Sequence, residues 1–383
     1  MDSQKKKAIT WLSLGHLIND SYTGFINPIM PFIAAKLGIT MAIATVVLSI
    51  SNIFSSLLQP IFGFFADNML KRVFIFWGLI MTSIFIPLTP LAPNVYVLIL
   101  FIILGSLGSS FYHPQASGFV NKFGTACNSC ADDMGFFISM GSLGFSFGPL
   151  IAAFVTQYLG MEKMPCLSIF GLGLAMTMFL FVPKLSDIEK KPEYKSFKET
   201  FLTILKNRKM NYLMIISMMK VLVTTSCCTL LPFLWKDMGY TPFYIGTALF
   251  LFIIAGGFGS LVSHKIELLF GTKNLLYFSM MATLPMIIIF SLTYKQFPIL
   301  SILMFVIIGF TTMLAQPVTM VMGQTILPKY KSVVAGFMNG FAWGVVAISL
   351  SLIGITAEHF GITNVLVVLS IFPVISTVLI KYL

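Results

Sequence analysis

Residues 31–40 read PFIAAKLGIT, and residues 232–241 read PFLWKDMGYT. Both open on Pro-Phe and an apolar residue, hold a lysine among three variable positions, and close on Leu or Met, Gly, any residue and Thr. A second pair lies further along. Setting Ser109 of SSFYHPQ on Thr312 of TTMLAQP places His113-Pro114 on Gln316-Pro317. The two offsets are 201 and 203. Two matches at nearly one offset read as the duplication of half a chain.

What is duplicated follows from composition. The chain has 383 residues, of which 57% are hydrophobic and 10% charged, whereas a soluble domain carries about 25% charged residues. The bilayer is therefore the solvent, and a soluble enzyme is excluded. Twelve apolar segments are read at 8–34, 41–66, 72–90, 95–118, 134–159, 165–182, 210–235, 242–263, 274–293, 297–321, 332–356 and 362–381. Each is near the ~20 residues that cross ~30 Å of hydrocarbon. Unpaired backbone is not tolerated in lipid, so the segments are predicted to be helices. The first is too long for a signal-peptide core and lacks a small-residue cleavage site, so it is read as a retained helix. The longest and most charged connection divides the chain into a six-helix half at 1–182, a linker at 183–209 and a six-helix half at 210–383. The expected fold is an all-α membrane protein of twelve transmembrane helices in two pseudo-symmetric halves.

The net charge of +11 is a topology signal. With the N-terminus inside, nineteen basic residues fall on the cytoplasmic side, eight of them in the 183–209 loop, and Lys36, Lys163, Lys236 and Lys295 fall opposite. This positive-inside bias predicts cytoplasmic termini, in a multi-pass protein of a bacterial inner membrane. It leaves no role for nucleic acid. Five cysteines give no disulfide framework. Cys127 and Cys130 form one CxxC without a second pair, so no metal site is read there. Cys227 and Cys228 fall inside an apolar segment.

Polar residues inside the segments carry the functional signal. Residues 14–27 read LGHLINDSYTGFIN. His16, Asp20, Thr23 and Asn27 are spaced to share one helix face. Ser106, Ser110, His113 and Ser117 do so in the fourth segment, Asn52, Ser56 and Gln59 in the second, and Thr312, Gln316 and Thr319 in the tenth. Such stripes either line a wet cavity or bond helices together at about 0.6 kcal/mol per bond; four together are read as cavity wall. Asp20 is the one acidic residue of thirteen at mid-segment, and Lys220 the one basic residue of twenty-four. Each costs about 2.5–3.5 kcal/mol at the bilayer centre. The repeat sets Lys220 on Asn19, beside Asp20, which predicts similar depth for both. Asp20 is the expected proton carrier, with His16 and His113 as relays. Lys220, Asn19, Asn27, Tyr112, Gln316, Asn52 and Gln59 are the expected substrate contacts. A salt bridge between Asp20 and Lys220 is the structural alternative.

Two motifs add a resemblance. Residues 63–72 read GFFADNMLKR; Gly63, Asp67, Lys71 and Arg72 resemble the signature between helices two and three of major facilitator transporters. The equivalent loop keeps Gly259 but has Ser263 in place of Asp, so a second gate is not expected. GSLGFSFGPL in the fifth segment, with Gly144, Gly148 and Pro149, resembles the glycine-proline signature of that superfamily's antiporters. Within the superfamily, LGHLIND with PIMPFI, FYHPQAS, and QTILPKYKSVVAGFMNGFAWG at 324–344 are similar to the fosmidomycin-resistance family. Gln115 stands where that family usually has Glu. The resemblance implies two parallel six-helix halves with a substrate site near the midplane. It also implies proton-driven export of a small molecule, in one group an anionic phosphonate, with a functional base near Lys220 that is usually Arg. The expected partners are a small anionic or zwitterionic substrate, protons and the bilayer, with no cofactor beyond the proton gradient and a monomeric chain. An uptake permease on the same fold is the alternative, and a non-transporting receptor a further one. No HExxH, GxSxG, paired intramembrane carboxylates or P-loop is present, which argues against an enzyme and an internal ATP motor.

Overall fold

The computed structural model describes residues 2–68, 72–125, 130–182, 197–327, 334 and 337–383, and these are helical apart from short turns. Among them, eleven helices are long and apolar enough to cross a membrane. They are Met41–Gly63, Val73–Leu91, Val95–Val120, Asp133–Leu159, Met161–Phe181, Arg208–Asp237, Pro242–Phe270, Thr272–Thr293, Pro298–Ile326, Ala342–Phe360 and Ile362–Tyr382. We number these the second to twelfth spans. The first span is Asp2–Gly24 continued by Ile26–Leu37. It falls outside the eleven because His16, Asn19 and Asp20 dilute its apolar run. Its break at Phe25 follows from Pro28, which has no N–H for the Gly24 carbonyl and whose ring crowds it. Phe25 N–H reaches back to Tyr22 O at 3.0 Å instead. The fold is the expected twelve-helix one.

The repeated decapeptides end in the same turn. Gly38 and Gly239 have φ of 65° and 83°. The N–H groups of Ile39 and Tyr240 reach Ala34 O and Trp235 O at 3.0 and 2.9 Å. The Oγ1 atoms of Thr40 and Thr241 then accept from Ile43 and Tyr244 N–H, each at 3.3 Å. Left-handed glycine stops one helix and threonine starts the next. The structure adds repeat pairs that the sequence reading missed. Gly160 and Gly361, 201 apart, both precede a span with φ of 91° and 86°. Gln157 Oε1 accepts from Phe243 N–H at 2.9 Å, and Glu358 Oε2 from Ala42 N–H at 2.7 Å; donors and acceptors are again 201 apart.

The chain forms two compact units, Met1–Ile39 with Ile50–Tyr194 and Thr241–Thr247, and Thr40–Ser49 with Lys195–Tyr240 and Ala248–Leu383. In the first unit the first span lies directly on the fifth. A Cβ on Gly144 would strike the Leu17 carbonyl, and one on Gly148 would come within 3.0 Å of Gly24 Cα. Small residues permit this approach where burial from water supplies no driving force. Tyr22 ties the first span to the sixth, donating to Leu167 O at 2.6 Å and accepting from Gly171 N–H at 3.1 Å. The sixth span turns Ile169, Phe170, Met176 and Leu180 outward, as a lipid-facing helix does.

In the second unit the seventh span is buried along most of its length, from Met210 to Trp235. Asn207 caps it, Oδ1 accepting from Met210 N–H at 3.0 Å. Residues 183–196 of the linker lie outside the described residues. Phe197–Lys206 is a helix whose Ile204 is buried and whose Phe201 ring meets those of Phe337 and Phe341 at 5.0 and 6.0 Å.

Candidate functional site

Asp20 sits in a cluster made by three helices of the first unit. His16, one turn earlier, places Nε2 3.2 Å from Asp20 Oδ2. His113 of the fourth span places Nε2 3.1 Å from Asp20 Oδ1. The Asn19 amide donates to Asp20 Oδ1 at 3.0 Å and to Ser109 Oγ at 3.3 Å, and lies 3.4 Å from His113 Nε2. From the fifth span, Phe137 O lies 2.8 Å from His16 Nδ1. A carbonyl only accepts, so Nδ1 carries the hydrogen and the Nε2 of neutral His16 turns a lone pair to the carboxylate. The His16 ring stacks on Phe137 at 4.1 Å and fills the space that a Cβ on Gly141 would take. Side-chain exposures of 9%, 15% and 23% for His16, Asp20 and His113 leave the cluster partly open. Asn19 Oδ1 is buried and has no partner among the described residues. An apolar groove along the adjoining face of the first span, lined by Leu17, Ser21, Phe25, Phe147 and Phe170, contains none of these groups.

The second unit holds the matching pair. Lys220 of the seventh span is 1% exposed, and its ammonium donates to Gln316 Oε1 of the tenth. The repeat equates Lys220 with Asn19 and Gln316 with His113. Equivalent helix pairs, first with fourth and seventh with tenth, thus each build one polar cluster within their own unit.

Other expected residues sit differently, and several readings are corrected. Tyr112 is fully buried and donates to Leu12 O at 2.5 Å; it fastens two helices and offers no surface to a substrate. Asn19 is equally buried and donates to Asp20. Ser106 bonds Ser51 Oγ at 2.9 Å, and Ser110 bonds Phe54 O, so this part of the fourth-span stripe joins helices and does not face water. Thr312 and Thr319 are buried and bond Ile308 O and Gln316 O in their own helix at 2.7 and 3.0 Å. A π-bulge at Ile53–Leu57 shifts Asn52 out of line with Gln59, which donates to Ser55 O at 2.7 Å. Asn27 lies beyond the Phe25 break. Gln115 Oε1 accepts from Ile75 N–H at 2.9 Å, a helix cap with no proton to carry.

In the loop motif, a Cβ on Gly63 would meet Pro114 Cβ at 3.3 Å. The Arg72 guanidinium lies over the Phe76 and Phe179 rings at 5.2 and 5.5 Å. Lys71 and Cys127, and the side chains of Asp67 and Cys130, lie outside the described residues. Ser263 donates to Leu314 O at 2.7 Å, a packing bond where the first copy has its acid. Pro149 and Gly148 both face Gly24. The sequence reading missed Phe137, Ser109 and Gly141; Gly141 was visible as the first glycine of GSLGFSFG.

A model of the Major Facilitator Superfamily matches residues 12–352. The chain is 25% identical over 370 residues to the fosmidomycin resistance protein of Escherichia coli (strain K12), covering 95% of this chain and 89% of that one. It is 23% identical over 339 residues to the quinolone resistance protein NorA of Staphylococcus aureus (strain MRSA252), covering 84% and 80%. Among solved structures it resembles a bacterial homolog to the human lysosomal transporter Spinster, in an inward-facing and unoccupied conformation. The TM-score is 0.80 at 13% identity, over 99% of this chain and 96% of that one. It also resembles a D-xylose-proton symporter, with a TM-score of 0.74 at 12% identity over 97% and 96%. At such identities these structures speak to the fold alone.

Proposed function

The chain belongs to the Major Facilitator Superfamily, and from that premise we propose that it exports a small anionic or zwitterionic molecule in exchange for protons, by alternating access. It is a multi-pass membrane transporter of small molecules and not an enzyme; coupling, direction and substrate class are our reading.

The observation that carries the reading is the His16–Asp20–His113 cluster, a carboxylate of the first span held between two imidazoles. Asp20 takes and gives up the coupling proton as access changes sides, and the imidazoles pass it to and from the open edge. An acid at this depth is rarely kept without use. Lys220 receives the anionic group of the substrate, which displaces the neutral Gln316 amide from the ammonium. The names of two relatives, which confer fosmidomycin and quinolone resistance, support export. The basic bias supports cytoplasmic termini in a bacterial inner membrane.

The test is flux in proteoliposomes carrying an imposed pH gradient, against a panel of phosphonates, carboxylates and zwitterions. Export coupling predicts substrate movement opposite to the proton flow. Movement with the protons would establish the uptake permease instead, and no pH-dependent flux of any panel member would count against both.

A further inference from the structure

We infer that His16, Asp20 and His113 form a binding site for one divalent late first-row cation, Zn2+ being the type. The inference needs only that these three side chains stand together, and not that they carry protons.

The donor set is the first ground. The ligand atoms of the three residues all lie within 4.8 Å of one another. A tetrahedral ion with bonds of about 2.0–2.2 Å has ligand-to-ligand edges of about 3.3–3.5 Å. His16 lies 3.2 Å from Asp20 Oδ2 and His113 3.1 Å from Asp20 Oδ1, and no edge of the set exceeds 4.8 Å, so an ion requires the longest edges to close by at most about 1.5 Å. Two imidazoles and one carboxylate suit Zn2+, Co2+, Ni2+ or Cu2+; Mg2+ and Ca2+ call for oxygen ligands. The open edge leaves the fourth position to water or substrate.

The outer contacts are the second ground. Metal-bound histidine almost always donates its other ring N–H to a carbonyl or carboxylate. His16 does so to Phe137 O at 2.8 Å, which aims its Nε2 lone pair at the carboxylate. Two lone pairs 3.2 Å apart need a cation between them, whether a proton or a metal.

The experiment is calorimetric titration of the purified, chelator-stripped full chain with ZnCl2, and with CoCl2 followed by visible absorption. The expected result is one ion per chain, with cobalt bands of tetrahedral nitrogen and oxygen ligation, and no binding of Mg2+ or Ca2+. Losing an outer-shell partner costs 10–100-fold, so His16→Ala or His113→Ala should weaken binding by at least about 100-fold. The chain has two other histidines, His264 and His359, and five cysteines. A His264→Asn/His359→Asn variant and a cysteine-free variant should bind as wild type. Melting temperatures establish which variants fold. If either histidine variant does not fold, the cobalt spectrum of the wild type decides, because thiolate bands would place the ion elsewhere. No stoichiometric site in the wild type, or unchanged affinity in a folded His16→Ala or His113→Ala variant, overturns the proposal. The readout is binding and not flux, so its failure leaves the exporter reading standing, and failure of pH-driven flux leaves this one.

Discussion

Asp20 and Lys220 hold nearly equivalent places in the repeat but are kept in different ways: the carboxylate has two imidazoles and an amide around it, the ammonium one amide oxygen. The consequences of removing them differ accordingly. Asp20→Asn preserves shape and removes the proton-binding group, so pH-driven concentration of substrate should be lost while substrate exchange at equal pH continues. An Asn variant that still concentrates substrate on a pH gradient would remove Asp20 from the coupling path. For Lys220→Gln, the dissociation constant of an anionic substrate should rise about 10-fold or more, since a charged hydrogen bond contributes about 1.5–3 kcal/mol. Lys220→Arg should lose less, because the charge stays while its geometry changes. Equilibrium binding on the three proteins decides, and wild-type affinity in the Gln variant would take Lys220 out of the site. At this scale the sequence was legible where charge made a residue costly. It was ambiguous for hydroxyls. Thr312 bonds its own helix and Ser110 a neighbouring one, yet either arrangement leaves the same periodic stripe. Tyr112 misled because its neighbour His113 is in the cluster, whereas helix geometry turns adjacent residues about 100° apart.

Between elements, the decisive positions are those where two backbones touch. Gly144→Val would drive a side chain into the Leu17 backbone carbonyl, and overpacking of this kind costs about 1–3 kcal/mol. Gly173 of the sixth span has open space at its Cβ position, so Gly173→Ala should stay within about 0.5 kcal/mol of wild type. Melting temperatures in detergent should therefore fall for the first variant and hold for the second. Equal melting would show that the first and fifth spans are not held together through this contact. The Gly144 and Gly148 spacing announced the contact, but not which helix lay opposite. The turn at Gly38 and Gly239 was legible because flanking residues repeat with it. Gly160 and Gly361 went unseen because what repeats there is a backbone conformation, and all but the glycine is free to vary. The bulge at Ile53–Leu57 interrupts the helix between Asn52 and Gln59, and the break at Phe25 interrupts it between Asp20 and Asn27. Pro28 was a visible cause of the second; nothing in the residues marks the first.

For the whole molecule, the duplication and the apolar runs made the architecture readable before any coordinate. The topology rests on charge, and it is checked by single cysteines placed at Lys198 and Lys295 in a cysteine-free background. An impermeant thiol reagent applied to intact cells should label the second position and not the first; the reverse pattern would invert the protein. The first span, finally, bears on how the chain is made. Alone among the twelve it is not apolar enough to pass as a crossing helix by composition, and Asp20 alone adds about 2.5–3.5 kcal/mol against its entry into lipid. Its compensating partners, His113 and the Phe137 carbonyl, lie on helices the ribosome has not yet made when the first span reaches the translocon. Its commitment to the bilayer should therefore be deferred until the fourth and fifth spans emerge. A glycosylation reporter fused after Leu37 should record incomplete integration, Asp20→Leu should raise it at that length, and fusion after Leu159 should restore it in the wild type. A first span fully integrated at the short length would show that it enters the membrane unaided.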